Sequence, residues 1–370
     1  AAKQQAPGAL LFFRLGDFYE LFYEDAIVAA RELEITLTSR NKERGEPVPM
    51  CGVPAHAAEN YIARLIQKGY RVAICEQMED PRLAKKLVRR EITRIVTPGT
   101  VTEAALLDAA QNNYLAALVR RREEAGLAWV DVSTGEFRAT ELPVAEAAAA
   151  LEQLDARELL TAEPEHAPRG RWAVTGVEAW TFDPAHAERL LLDHFRLLAL
   201  DGCGLAGRRL ATGAAGAVLA YLRETQKSAL DHLERPVYFD RGGAMMLDAV
   251  TVRNLELVEP LFTADAGGGR EATLLSVIDQ TRTGMGARLL RKRLLRPSID
   301  RAEIEARLDA VEWLARSTIQ RARLREVLGR MLDLERLMAR ISVGTASPRD
   351  LLALGRTLAC VPELRPALAG

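Results

Sequence analysis

The sequence of 370 residues has no run of 18 apolar residues and no CxxC pair. The first absence argues against a membrane span, because about 20 apolar residues are needed to cross the hydrocarbon core. The start has no secretory signal pattern, which predicts a cytoplasmic protein; it also lacks Met, so we expect a fragment. The four cysteines are widely separated and are interpreted as reduced core residues: Cys51, Cys75, Cys203 and Cys360.

The motifs of nucleotide-dependent and hydrolytic enzymes are missing too. Gly-Lys never occurs as a dipeptide, so the chain has no P-loop of the form GxxxxGK[ST]. HExxH is also absent, and the five histidines are too scattered to suggest a metal site. The GxGxxG pattern at Gly202–Gly207 follows a helical stretch and not a strand, so we interpret it as an interhelical loop. An enzyme domain in the middle of the chain remains the alternative hypothesis, and it predicts a measurable ATPase or hydrolase activity.

A net charge of −1 gives no global attraction for nucleic acid, so any such binding needs local basic patches. One candidate is the cluster Lys85, Lys86, Arg89 and Arg90, for which a solvated helix face is favoured over phosphate contact. The other is the arginine-rich run 288–296. Leucines interleave with its basic residues at helical spacing, so we interpret it as an amphipathic helix with snorkelling basic side chains.

The length predicts two or three domains, and the patterns divide the chain into three parts. Residues 1–108 alternate between helix and strand and predict a small mixed α/β domain. Residues 109–238 begin with hairpin-like strands, with turns at 124–126 and 133–135, and form a second α/β unit. Residues 239–370 are rich in Arg and Leu and predict an all-α segment. The predicted fold class is therefore a multidomain α/β protein that ends in helices.

Several elements are predicted individually. Residues 18–34 have helical spacing, with Phe18, Phe22 and Ala26 on one face, and residues 41–56 read as loop because they are rich in Gly and Pro. Residues 319–342 read as one helix. Two helix starts carry capping-box patterns, in which an N-cap residue is followed three positions later by an acid: Asp300 with Glu303, and Ser347 with Asp350.

The stretch RLGDFYELFYEDA, residues 14–26, allows two interpretations. In the first, Phe18 packs inward from a core helix and Glu20 is solvated. In the second, Phe18 is an exposed wedge that stacks into a base step, and Glu20 hydrogen-bonds the displaced base. Since phosphates repel a carboxylate, an acid beside such a wedge needs a specific role. Periodicity does not decide between the two interpretations.

The segment LLFFRLGDFYELFYEDA resembles the amino-terminal signature of the MutS mismatch-recognition family, whose Phe-x-Glu motif lies within it. GEPVPMCGVPAHAAENYIARLIQKGYRVAICEQMEDP and RREITRIVTPGT are similar to the rest of that family's mismatch-binding domain. LDAVTVRNLELVEP and SVIDQTRTGMGARLLRKRLLRPSID resemble the start of its helical core. These segments follow the family's order along almost the whole chain.

This resemblance implies DNA-binding roles for four residues. Phe18 would stack against a mispaired or unpaired base, and Glu20 would hydrogen-bond it. Arg40 matches a phosphate-contacting position, and Met50 lies on a loop expected to line the same groove; a solvated charge and local packing are the respective alternatives. The chain departs from the family at Ala55, where an aromatic residue is common, so a DNA contact there is not carried over.

The resemblance also implies the organisation of the whole protein. It implies a mismatch-binding domain, an RNase H-like connector and a truncated core or lever domain. Asp131 and Glu136 lie near the first connector hairpin, but no metal-spaced carboxylate set supports nuclease activity. ATP and Mg²⁺ would bind outside this chain. The expected partners are double-stranded DNA with a mismatch or small loop, a second subunit in a homodimer, and a MutL-type repair protein, in a cytoplasmic, nucleoid-associated setting. Related recombination proteins typically lack the Phe-x-Glu motif, which is present here.

Overall fold

The computed structural model describes residues 2–40, 47–79, 88–261 and 273–368. It has two mixed α/β units followed by a helical segment, which confirms the predicted fold class. All four cysteines are buried and free. Among the described residues, no helix is long and apolar enough to cross a membrane.

The first unit is a six-stranded sheet with two helices on one face. Its strands follow the order β3-β4-β2-β1-β5-β6, with β1 and β5 parallel and the other neighbours antiparallel. The strands are β1 (Leu10–Leu15), β2 (Phe18–Phe22), β3 (Thr38–Arg40), β4 (Val48–Pro54), β5 (Val72–Gln77) and β6 (Arg90–Val96), and the helices are α1 (Tyr23–Leu33) and α2 (Ala58–Gln67). The helices pack on the sheet through small and aliphatic side chains such as Ala29, Leu33 and Leu65.

Two predictions for this unit are wrong. Residues 18–22 form strand β2, so the helix begins at Tyr23 and Phe18 does not share a helix face with Phe22 and Ala26. Within the predicted loop 41–56, residues 48–54 form β4, which pairs with both β2 and β3. The inward residues of β4 are Cys51 and Val53, both buried, so period-two burial prevails over the weak strand propensity of its prolines.

The second unit has the strand order β11-β10-β7-β8-β9-β12. The antiparallel run β7-β8-β9 is extended by parallel strands on both sides. Its strands are β7 (Leu115–Arg121), β8 (Glu124–Val130), β9 (Phe137–Pro143), β10 (Glu158–Thr161), β11 (Ala173–Gly176) and β12 (Val237–Tyr238), and its helices are α3 (Ala147–Leu154), α4 (Pro184–Phe195) and α5 (Arg209–Gln226). The first turn was predicted two residues late, because Glu124 already lies in β8 and the chain turns at Arg122, whose φ is +56°. The GxGxxG pattern lies between α4 and α5, as predicted.

The remaining described residues are mainly helical. The helices are α6 (Ala249–Asn254), α7 (Leu274–Ile278), α8 (Gly284–Leu295), α9 (Arg301–Arg316), α10 (Thr318–Arg330), α11 (Leu334–Val343) and α12 (Pro348–Leu368). The single helix predicted over 319–342 is wrong, because Asp333 caps a new helix and accepts a hydrogen bond from the Arg336 amide at 3.2 Å.

The two predicted capping boxes have different outcomes. Ser347 and Asp350 form the reciprocal pair: each backbone amide donates to the other side chain, at 2.8 and 3.3 Å. Asp300 is an N-cap, but Glu303 does not bond its amide. The Asp300 amide donates instead to Ser298 Oγ at 3.2 Å, so the second half of this box is absent.

A candidate nucleic-acid interface on the first sheet

A two-residue hairpin turn positions Phe18. Gly16 and Asp17 join β1 to β2, and Gly16 has a φ of +59°, a conformation suited to glycine at the first position of such a turn. Arg14 Nε donates to the Gly16 carbonyl at 2.6 Å, and the Ala55 amide donates to the Asp17 carbonyl at 2.8 Å. The turn is therefore fixed from β1 on one side and from the end of β4 on the other, and Phe18 follows it directly.

The alternation of a strand puts Phe18 and Glu20 on the same side of the sheet. Tyr19 and Leu21 are buried in the core beneath the helices, so residues 18, 20 and 22 point to the opposite face. Phe18 is 47% exposed, which contradicts the interpretation of an inward-packed core residue. A spacing of two residues thus has a direct meaning in a strand: it makes Phe18 and Glu20 neighbours on one surface.

Tyr19 anchors β2 between these two residues. Its hydroxyl donates to a carboxylate oxygen of Glu76 on β5, and the Arg14 guanidinium lies 5.2 Å from its ring centroid. Burial, followed by the neighbouring Glu76 carboxylate, raises the pKa of Tyr19 to about 12, so this phenol stays protonated and remains a donor. The inward side of β2 is therefore held rigidly while its outward side is open.

The open face is defined here by Phe18 and Glu20 of β2, Met50 and Gly52 of β4, and Arg40 of β3. Cross-strand pairing puts Gly52 opposite Glu20 and Met50 opposite both Phe22 and Thr38. Gly52 has no side chain to cover the Glu20 carboxylate from the neighbouring strand. The structure thus brings together all four predicted site residues, although Met50 lies in a strand and not in the predicted loop.

Glu20 has an unsatisfied oxygen within this face. Its Oε2 atom is inaccessible to solvent and has no hydrogen-bond partner among the described residues. The nearby cation is Arg40, whose Nη1 lies 3.8 Å from Oε2, a distance for an ion pair but too long for a hydrogen bond. A buried acceptor without a donor is costly and uncommon in a native protein, so it marks a position that can gain from a ligand.

The other half of the same sheet face is covered. Residues near the amino terminus pack there against β5 and β6 in a small apolar cluster: Ala6 and Ala9 with Ala73, Cys75, Ile92 and Ile95. Arg90 also lies over the Phe13 ring, 5.2 Å from its centroid, and its Nε donates to the Arg14 carbonyl at 3.0 Å. Among the described residues, the half formed by β2, β4 and β3 is the part of this face that has no such covering.

The predicted basic cluster near residue 90 is only partly described. Lys85 and Lys86 lie outside the described residues. Arg89 donates to Glu91 at 2.8 Å, and Arg90 belongs to strand β6, so the helix-face interpretation is wrong for these two arginines. The contacts of Arg90 within the sheet show that it has a structural role.

The basic run on α8 is an element of the junction between the second unit and the helices. Arg288 is only 4% exposed and donates to Asp333 at 2.6 Å, to Glu335 at 2.6 Å and to the Ala109 carbonyl at 3.0 Å. The structural interpretation of this run is confirmed, but Arg288 is buried in ion pairs and does not snorkel, while its neighbour Leu289 is exposed.

The carboxylates of Asp131 and Glu136 accept hydrogen bonds from neighbouring residues. Asp131 accepts from the Asn112 side chain and from the Ser133 amide, both at 2.8 Å, and Glu136 accepts from the Tyr114 hydroxyl at 2.9 Å. Within the described ranges, no group of three or more His, Cys, Asp and Glu side chains is arranged to hold a metal ion. Both carboxylates therefore have structural partners.

Sequence reasoning from periodicity missed Gly52 and the strand that carries it. For the neighbouring strand β2, the sequence did hold a signal. Two alternating runs separated by Gly-Asp predict a hairpin, which assigns residues 18–22 to a strand. The pairing of Glu20 with Arg40 had no such signal, because it depends on the register of three strands that are distant in sequence.

Comparison with known proteins identifies the class of this molecule. Models of MutS domain I, MutS domain II and MutS domain III match residues 1–105, 113–234 and 250–370. The chain is 62% identical to the DNA mismatch repair protein MutS of Solibacter usitatus, over 98% of the chain and 43% of that protein. It is 48% identical to the protein of that name from Symbiobacterium thermophilum, over 99% of the chain and 43% of the relative.

A third relative, the DNA mismatch repair protein MutS of Paracoccus denitrificans, is 47% identical over 96% of the chain and 41% of its own length. The chain belongs to the MutS family and carries that family's domains I, II and III. The chain spans less than half the length of these relatives.

Proposed function

We propose that this chain binds mismatched or unpaired bases in double-stranded DNA through the open face. Phe18 stacks at the mismatch, and Glu20 hydrogen-bonds the displaced base. The observation that carries this proposal is the pairing of an exposed aromatic ring with a carboxylate two residues away, on the uncovered half of a fixed sheet. The unsatisfied Oε2 atom of Glu20 adds an acceptor that a base can fill.

The physical basis of selectivity is the cost of deforming DNA. Inserting a ring into a base step unstacks it at a cost of a few kcal/mol, and this cost is smaller where the bases already pair and stack poorly. One surface then accepts many mismatches, because it responds to deformability more than to base identity. The hairpin turn and the Tyr19 anchor support this role, since a wedge must be stiffer than the duplex it bends.

Arg40 and Met50 extend the same surface. The Arg40 guanidinium is exposed at the end of β3 and has the planar donors that suit a phosphate. Met50 offers a flexible apolar side chain between β2 and β3, which suits a sugar or an unstacked base edge. We assign Arg40 to the DNA backbone and Met50 to the groove.

Membership of the family extends the proposal to the whole protein. It would be a DNA-dependent ATPase that initiates mismatch repair, acts as a homodimer and signals to a MutL-type partner in the cytoplasm. ATP and Mg²⁺ would bind outside this chain, which contains no Gly-Lys dipeptide and hence no P-loop.

The test compares Phe18→Ala with Ile27→Ala, which removes an apolar side chain of similar exposure (49%) from helix α1. Binding to a G·T and a matched G·C duplex is measured by fluorescence anisotropy, with circular dichroism as a folding control. Loss of base–aromatic stacking, about 1–3 kcal/mol, predicts a fall of roughly 5- to 150-fold in affinity for the G·T duplex. Ile27→Ala should bind like the unmodified protein. Unchanged discrimination by a folded Phe18→Ala protein would refute the proposal.

A further inference from the structure

In the DNA-free protein, the Arg40 guanidinium lies beside a buried oxygen of the Glu20 carboxylate. The Nη1 atom of Arg40 lies 3.8 Å from Oε2 of Glu20, and this oxygen has almost no solvent-accessible surface. The Arg40 side chain is 59% exposed, whereas that of Glu20 is 22% exposed. The arginine is therefore accessible from solvent, while the carboxylate lies on the sheet opposite Gly52.

We infer that Arg40 is a specificity-determining residue that exchanges Glu20 for a DNA phosphate when the protein binds. This inference rests on the proposed function and deepens it. In the free protein, Arg40 neutralises Glu20 across the β2–β4–β3 face. On DNA, the guanidinium turns to a phosphate, with which it forms stronger bidentate hydrogen bonds, and the carboxylate is uncovered.

The exchange couples contact with the DNA backbone to reading of the base. Once Arg40 has left, Glu20 is an unneutralised anion close to phosphates, which is unfavourable. A displaced base at a mismatch can donate to the carboxylate and offset this cost. A stacked and paired base has no free donor there, so on matched DNA the cost remains. Arg40 thus makes the backbone contact conditional on a base that Glu20 can bind.

A rival geometry has Arg40 bridging Glu20 and a phosphate at the same time. The two arrangements predict opposite signs of coupling between the residues. With exchange, binding breaks the ion pair between Arg40 and Glu20. Removing Arg40 then loses the phosphate contact but also removes the cost of breaking this pair, so the loss of affinity is smaller while Glu20 is present. With a bridge, Glu20 helps to hold Arg40 on the phosphate, so the loss of Arg40 is largest while Glu20 is present.

A double-mutant cycle on the intact protein separates these cases. Arg40→Gln is made alone and in the Glu20→Gln background, and affinity for G·T and G·C duplexes is titrated at several salt concentrations. With exchange, Arg40→Gln should weaken binding about 1.5- to 5-fold more in the Glu20→Gln background, the range for a partly exposed ion pair. Arg40→Gln should also reduce the slope of log affinity against log salt concentration by about 0.9 in magnitude, the value for one phosphate contact. Equal losses in both backgrounds, or a larger loss with Glu20 present, would overturn the inference.

The matched control is Arg64→Gln. Arg64 pairs with Glu34 at 4.0 Å on the helical side of the same unit, so this change removes the same charge away from the open face. It should leave the G·T to G·C ratio unchanged.

A measurement without DNA tests directly whether Arg40 pairs with Glu20 in the free protein. In the free protein, Arg40→Gln should move the ¹³Cδ resonance of Glu20 and leave that of Glu34 in place, whereas Arg64→Gln should do the reverse. An unmoved Glu20 resonance would overturn the inference even where DNA binding is weak. The proposed function fails separately, if Phe18→Ala keeps full discrimination. If Phe18→Ala loses discrimination but Arg40→Gln weakens binding equally in both backgrounds, the proposed function stands and only the role of Arg40 is wrong.

Discussion

Glu158 on β10 accepts a hydrogen bond from the Gly99 amide, at 2.9 Å, in the turn that follows the last strand of the first sheet. The same buried carboxylate accepts from the hydroxyls of Thr97, Thr175 and Tyr221, the last two at 2.7 Å. Four donors satisfy one carboxylate, and two of them come from the first unit. Glu158 therefore joins the unit with the open face to the second unit.

Glu158→Ala should destabilise the protein by at least about 3 kcal/mol, because it leaves several buried donors without an acceptor. Tyr221→Phe removes one of these bonds and should cost about 1–2 kcal/mol. Urea unfolding followed by circular dichroism measures both values. A Glu158→Ala protein within about 0.5 kcal/mol of the unmodified protein would show that this carboxylate does not hold the two units together.

Arg288→Met should be strongly destabilising although it adds an apolar side chain of similar length. The substitution leaves the carboxylates of Asp333 and Glu335 and the Ala109 carbonyl without their shared cation. Breaking a buried pair from one side typically costs about 3–5 kcal/mol. Arg293→Met, on an exposed position of the same helix, is the control and should have little effect in the same urea titration. Similar midpoints for the two variants would contradict the importance of the Arg288 pair.

Stability should fall as the pH drops below about 6.5, in part because of His232. Burial lowers the pKa of this imidazole below its ordinary value of 6.5, although its bond to the Val132 carbonyl at 2.8 Å opposes the shift. The unfolded chain therefore takes up a proton at a higher pH than the folded chain does. The contribution of His232 is fully present above the unfolded pKa and is lost as the pH falls towards the folded pKa, by at most about 1.4 kcal/mol per pH unit.

The check is the pH dependence of the unfolding free energy between pH 7.5 and 5. His232→Gln should flatten this dependence, since glutamine does not titrate and keeps an amide donor. His56→Gln changes an exposed histidine and should leave the slope as it was. Identical slopes for all three proteins would exclude His232 as the source.

Glu20→Gln and Glu20→Ala should differ in how they change discrimination. Both remove a charge that phosphates repel, so affinity for matched DNA should rise in both. Glutamine keeps part of the hydrogen bonding to the displaced base, whereas alanine loses it, so affinity for the mismatch should gain less in Glu20→Ala. Hydrogen bonds to charged groups contribute about 1.5–3 kcal/mol, which a titration resolves. Indistinguishable ratios for the two variants and the unmodified protein would remove Glu20 from the base-reading role.

Periodicity alone predicted the long helices better than the strands of the open face. Long helices such as α5 and α9 are evident from their spacing, and the start of α9 is marked by the Asp300 cap. Residues 18–22 were assigned to a helix because Phe18 and Phe22 also satisfy a spacing of four, and a five-residue strand offers too few residues to choose between the two periods. The Gly16–Asp17 turn was the deciding signal.

The resemblance to a family selected residues that periodicity does not select. It pointed to Phe18, Glu20, Arg40 and Met50 without saying how they are brought together. Their arrangement depends on which strands are neighbours and in which register, and on a glycine at position 52 that places no side chain over the carboxylate from β4. Such non-local pairings are not encoded in any short window of sequence. For the same reason, the burial of Arg288 could not be inferred from an arginine-rich helix.

The alternation along β2 limits how this surface can change length. Because every second residue faces outward, adding or deleting one residue within the strand would turn Phe18 or Glu20 into the core. Only steps of two residues keep both side chains outside, and each step moves the ring by about 7 Å. The position of the Phe18 ring along the strand can therefore change only in such steps. Insertions that move the ring by smaller distances are confined to the Gly16–Asp17 turn.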